Sequence, residues 1–142
     1  MKTVELSTEL DAPLETVERE LSPTSIVEYA NTYAIQSVDE SDSKTVLTVI
    51  GDTLQLVLEF TELDDSHRYT QVGEIGPFEE MRTEIMVEGD DRTRVTVRSE
   101  FTFGGTFSFI KNWLGTSIRW SELERLLTNM TDDLERSDAE SR

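Results

Sequence analysis

Residues able to do chemistry are few in this chain and poorly spaced to do it. Cysteine is absent, which removes thiolate nucleophiles, disulfides and cysteine-ligated zinc or iron–sulfur sites. His67 is the one histidine. It stands in the turn-rich run Asp64-Asp65-Ser66-His67-Arg68, and a general base or metal ligand needs partners converging on it. The expectation is a solvated turn histidine with no metal around it. Paired carboxylates occur at Asp64-Asp65, Glu79-Glu80, Asp90-Asp91 and Asp132-Asp133. Neighbours in a strand point to opposite faces, and the other pairs fall in turns or near a helix end, so all read as solvated surface. Gly73-Glu74-Ile75-Gly76 lacks the third glycine and the following helix of a phosphate-binding loop, and no nucleophile elbow is present. The sequence assigns no catalytic residue, no metal and no cofactor.

What remains is an apolar pattern, and the element that dominates it is the last third of the chain. Thr106 to Glu135 is the longest candidate helix and carries both tryptophans. Phe109, Trp113, Trp120, Leu123, Leu127, Met130 and Leu134 recur at spacings of three, four or seven, the repeat of one helical face. Ile110, Leu114, Ile118 and Leu126 widen the stripe enough to cover a curved sheet. Gly115, followed by Thr116 and Ser117, predicts a kink or break. Either another backbone approaches there or residues 107–114 form a flap over a cavity. Asp132, Asp133 and Glu135 sit at the negative end of the helix dipole and predict a frayed last turn. Residues 1–136 read as a single domain and 137–142 as a disordered acidic tail.

Upstream of that helix the period changes. Thr3 to Leu10 alternates as a half-buried strand. Asp11-Ala12-Pro13 then opens a short helix carrying Leu14, Val17 and Leu21, with Asp11 as the candidate cap. Ser22-Pro23 ends it, and Thr24 or Ser25 is placed to cap a second helix through Ile26, Val27 and Tyr29. Six further strands are predicted at Tyr33–Val38, Lys44–Ile50, Thr53–Leu63, Arg68–Ile75, Glu79–Glu88 and Thr93–Phe103. Their connections are too short for parallel crossovers, so they form an antiparallel meander with the first strand joining one edge. The class is α+β, a seven-stranded sheet with two short helices after strand 1 and a long C-terminal helix.

Charge bounds the partners. Asp and Glu number 30 against 13 Lys and Arg, a formal net charge of −17. Such a surface repels phosphate backbones and anionic membranes, so nucleic acid is not expected as a partner. Periodic apolar residues, 36% of the chain, argue for a packed fold and against disorder. Lys2, Lys44 and Lys111 are the only lysines. Many carboxylates, few lysines and many threonines resemble proteins of halophilic archaea, in whose salt the Debye length falls to about 3 Å or less and self-repulsion is screened. No run approaches a membrane span and no signal peptide opens the chain, which points to a cytoplasmic protein, a monomer or weak dimer.

The strand ending in Asp11-Ala12-Pro13, the helix pair, the meander and the long helix after Gly104-Gly105 together resemble the START-like (SRPBCC, helix-grip) superfamily. Within it the polyketide cyclase/dehydrase-like and coenzyme Q-binding groups are the nearest in pattern. Asp39 to Ser43 stands where the pollen-allergen branch has a glycine-rich loop, so that branch's ligands are not carried over. The resemblance implies a curved sheet gripping the C-terminal helix, with a cavity for an apolar ligand between them. Strand parity places Leu54, Leu56, Leu58 and Phe60 on one face, with Met81, Thr83, Ile85 and Val87 and with Val95, Val97, Ser99, Phe101 and Phe103. Inward polar groups are Thr48, Tyr69, Gln71, Thr83 and Ser99. Leu47, Val49, Val57 and Met86 are left on the outer face.

Candidate ligand contacts are thus Phe60, Tyr69, Gln71, Met81, Thr83, Ser99, Phe101, Phe103, Phe109, Trp113 and Trp120, although the same residues would fill any apolar core. Three functions follow. A carrier or sensor of a lipid, quinone or polyketide-like molecule is preferred, because parity supplies no inward Asp, Glu, His or Arg. A ketide cyclase or dehydratase would use Tyr69, Gln71 or Ser99 to orient substrate. A protein-docking module, like chaperone-activator relatives, would need an apolar outer face.

Overall fold

The structure, a computed structural model, describes residues 2–31, 33–51, 55–63, 66–72, 78–103 and 112–140, without the side chains of residues 78, 79, 103, 112–118 and 137–140. Alternation at the N-terminus produces β1 (Lys2–Leu10), followed by α1 (Leu14–Glu20) and α2 (Pro23–Ala30). Then come β2 (Ala34–Glu40), β3 (Lys44–Ile50), β4 (Gln55–Leu63), β5 (Ser66–Gln71), β6 (Phe78–Gly89), β7 (Thr93–Phe103) and α3 (Asn112–Glu140). All ladders are antiparallel, in the order β1-β7-β6-β5-β4-β3-β2. The meander and the return of the first strand to one edge are as the connection lengths require. The sheet is curved and open, and α3 packs across its β1–β7 side and against α2.

The Asp-Ala-Pro corner is held by the β6–β7 turn. Thr93 Oγ1 donates to the Ala12 carbonyl at 2.9 Å and Leu14 N–H donates to the Asp90 carbonyl at 2.9 Å. Asp11 does not cap α1. Pro13 occupies that position without a side-chain bond, and the Asp11 N–H instead donates to Glu135 Oε2 at 2.7 Å. The cap of α2 is Ser22, in a reciprocal box with Ser25, because Pro23 fits the first helical turn and needs no N–H partner.

α3 differs from expectation at three points. It runs through Gly115, Thr116 and Ser117 without a break, since burial of the stripe beyond them outweighs about 1 kcal/mol of glycine cost. It also continues to Glu140. The carboxylates near its end are engaged: Asp133 accepts from Tyr29 Oη at 2.6 Å and from Arg136 at 3.0 Å. Third, the buried face is centred on Leu123, Leu126, Met130 and Leu134, and Trp120 is 45% exposed on its flank. A strict seven-residue spacing drifts about 20° per repeat around a straight helix, which carries Trp120 off the stripe. The proposed flap, residues 107–114, falls largely outside the described residues.

One strand has the opposite parity to that expected. In β3 Leu47 and Val49 are fully buried and Thr48 faces outward, because Leu47 pairs with Leu58 and Val49 with Leu56, both on the inner face of β4. β3 carries apolar residues on both parities, so only its partner's register could decide. The outer face is a chequerboard of ion pairs, among them Arg68–Glu84, Arg82–Glu100 and Lys44–Glu59. Val57 and Met86, placed on this face by parity, lie half-buried among those charges.

Candidate functional site

Between α2, α3 and the inner face of β4–β6 lies a cavity of about 30 Å³. Its walls are Ile26, Val27 and Ala30 from α2, Leu56 and Leu58 from β4, and Met81 from β6. Tyr33, Tyr69, Gln71, Arg119 and Glu122 add polar atoms. Such a volume corresponds to about one water molecule, so the side chains nearly fill this space.

The unexpected feature is an ion pair. Arg119 and Glu122 are 3% and 7% exposed, and Arg119 Nη1 contacts Glu122 Oε2 directly. Arg119 Nε donates to Ser99 Oγ at 3.1 Å and Nη2 to Thr83 Oγ1 at 3.0 Å, and Thr83 Oγ1 in turn donates to Ser99 Oγ at 3.0 Å. The Tyr69 hydroxyl lies close enough to Arg119 and Thr83 for both to bear on its ionisation. A guanidinium presents five N–H groups in a rigid fork, and two strands and the helix's own next turn receive them.

These groups shift one another. Burial pulls the Arg119 pKa down, but Glu122 and Tyr69 beside it more than offset this and hold it above its ordinary value. Burial also raises the Tyr69 pKa, reinforced by Glu122 and opposed by Arg119. Tyr33 is raised for the same two leading reasons, burial and then Glu122. The site therefore contains a permanent cation, an adjacent carboxylate and neutral phenols in a largely apolar wall.

The sequence-derived residues divide by position. Tyr69, Gln71 and Met81 line the cavity, and Thr83 and Ser99 hold Arg119. Phe101 is fully buried in the core without lining the cavity. Phe60 packs on Tyr69 with ring centroids 5.0 Å apart, and it lines a separate polar cleft of about 690 Å³ between Pro23, the β2–β3 turn and the adjoining ends of β4 and β5. Trp120 lies away from the cavity, in a groove beside Leu6, Ser7 and Thr8 of β1. The side chains of Phe103 and Trp113, and the whole of Phe109, lie outside the described residues.

His67 is not in a turn. It sits half-buried in β5, opposite Glu62 and Ile85, and burial lowers its pKa against the opposing pull of Glu62 and Glu18. Among the described residues, no group of three or more His, Asp or Glu side chains is placed to hold a metal ion, and no helix is long and apolar enough to cross a membrane.

Strand parity could not find Arg119 and Glu122, because both come from α3. A signal existed: Arg119 stands four residues before Leu123 and Glu122 four before Leu126, so both interrupt an apolar face at helical spacing. At 3.6 residues per turn Glu122 and Trp120 fall on opposite flanks of the stripe, one towards α2 and the cavity, the other towards β1.

No family model matches the sequence, and no curated protein matches it. Solved structures do. A protein from Thermus thermophilus superposes with a TM-score of 0.76 at 14% identity, covering 96% of this chain and 99% of that one. A START superfamily protein from Mycobacterium smegmatis gives 0.75 at 13% identity, with 94% and 97% covered. The Zhui aromatase/cyclase of Streptomyces sp. R1128 gives 0.73 at 12% identity, with 97% and 93% covered. With end-to-end coverage at so low an identity, the likeness is one of fold: this chain has the START-like, helix-grip architecture.

Proposed function

We propose that this protein binds an apolar small molecule of the lipid, quinone or polyketide type between the sheet and α3, as a carrier or sensor. The observation that carries the reading is the buried Arg119–Glu122 pair bordering an apolar cavity. A core built only for stability has little use for it, because well-packed apolar residues would be as stable or more so. A polar group at one end of an apolar space is what fixes the orientation of a small ligand. Small-molecule pockets occupy about 300–1,000 Å³, so binding has to enlarge the cavity by moving side chains such as Leu58 and Met81 or by shifting α2. On this reading the protein works as a monomer or weak dimer in a salt-rich cytoplasm, where its charge keeps nucleic acid away.

The test is native mass spectrometry of gently purified protein in volatile salt, with organic extraction of whatever is released. An apolar adduct, absent from a Leu58→Trp variant that still folds, supports the reading. A clean mass together with no thermal shift across an apolar ligand panel overturns it.

The sequence argument for a carrier, that no charged side chain points inward, does not survive the burial of Arg119 and Glu122 at the cavity. Arg119 favours a second reading, a cyclase or dehydratase acting on a ketide-like substrate. A buried cation flanked by the Tyr69 hydroxyl would stabilise an enolate oxygen as charge develops on it. Turnover of a model ketide that is lost in Arg119→Lys while binding persists would select this reading; binding without turnover would reject it.

A further inference from the structure

Resting on the binding reading above, the charge balance of the cavity points to the head group of the ligand. We infer that the site accepts an uncharged molecule whose hydroxyl donates a hydrogen bond to Glu122, and that it rejects the matching carboxylate.

Each nitrogen of Arg119 is engaged: Nε donates to Ser99, Nη2 to Thr83 and Nη1 to Glu122. An anionic head group would have to compete for a cation already bonded through all three of its nitrogens. It would also bring a second negative charge beside Glu122, with one guanidinium to balance two carboxylates in a water-poor space. Glu122 is less committed. A carboxylate offers about four acceptor positions, and among the described residues Arg119 is its one hydrogen-bonded partner. Glu122 borders the cavity directly, whereas the hydroxyls of Thr83 and Ser99 face the guanidinium. The acceptor atoms bordering the cavity are the Glu122 carboxylate and the Gln71 side-chain carbonyl, and their complement is an O–H donor on a neutral body.

Three probes share one body and differ in the head group: para-butylphenol, para-butylbenzoate and butylbenzene. Calorimetric titration of the full chain at neutral pH in about 2 M potassium chloride, where long-range repulsion is screened, should find the phenol binding about tenfold or more tighter than either other probe, as expected for a hydrogen bond to a charged acceptor. In Glu122→Gln, whose fold is checked by circular dichroism, Arg119 lacks its counter-charge and the preference for phenol over benzoate should narrow or invert. Benzoate binding the wild-type protein as tightly as phenol overturns the inference while leaving the pocket intact, as does butylbenzene matching the phenol. Failure of all three to bind overturns the pocket reading and this inference with it. If Glu122→Gln does not fold, the wild-type ranking decides alone.

Discussion

A single guanidinium ties the sheet to the long helix, and its energetics are testable because a buried ion pair has an asymmetric cost. Removing one partner leaves an uncompensated buried charge, about 3–5 kcal/mol of destabilisation; replacing both by apolar groups is often neutral. Arg119→Met and Glu122→Leu should each lose stability of that size in urea unfolding, and the double variant should recover most of it. If the two losses simply add, the pair is not the coupled unit described here. His67 gives a second residue-scale prediction. Its folded-state pKa is depressed by burial, so the unfolded chain takes up the proton first as pH falls. Stability assigned to the neutral imidazole is complete above its unfolded value of about 6.5 and declines as pH drops below it. Comparing melting temperatures above and below that value, His67→Gln should show a smaller acid-side drop than wild type. Equal drops would mean that the carboxylates alone govern the acid limb.

At the scale of elements, stability resides in corners and latches as much as in ladders. Gly89 ends β6 with φ +139°, and a Cβ there would lie 2.1 Å from the Arg92 carbonyl oxygen. Gly89→Ala should destabilise by more than about 1 kcal/mol. Because this turn also holds Ala12 and Leu14, hydrogen exchange should show faster opening in α1 as well as in the β6–β7 hairpin. Opening confined to the hairpin would break that link. The latch between α2 and α3 comprises Tyr29 to Asp133 and Asn129 Nδ2 to the Tyr29 carbonyl at 2.6 Å. Burial and Asp133 together hold the Tyr29 pKa well above its ordinary value, so this hydroxyl stays a donor at any physiological pH.

For the whole molecule the dominant quantity is the net charge of −17. Ion pairs on the outer sheet face use many of the arginines, yet the excess of carboxylates remains and repels itself across the surface. Salt shortens the range of that repulsion from about 10 Å at 0.1 M to about 3 Å at 1 M. The melting temperature should therefore rise steeply over that interval in potassium chloride. A flat response would remove the argument that this surface is adapted to salt. Ligand exchange should follow the same trend only for charged probes, because an uncharged molecule feels no long-range field.

The order of elements and the antiparallel topology were legible in the chain alone, because period-two and period-3.6 patterns and short connections are local properties. So were the inward faces of β4, β6 and β7, where apolar residues occupy one parity. β3 was not, since Val46 and Ile50 compete with Leu47 and Val49, and only pairing with β4 chooses between them. The helix ends depended on partners distant in sequence: Tyr29 and Asp11 engage Asp133 and Glu135, which the sequence alone marked as a fraying end. The same holds for the site. Tyr69, Gln71, Met81, Thr83 and Ser99 could be placed by parity, but that they share a site with a cation could not, because the spacing of Arg119 and Glu122 within the apolar face of α3 does not say what that face is docked against. Propensity and periodicity are short-range. Which flank of a helix meets water, and which meets a cavity, is decided by packing.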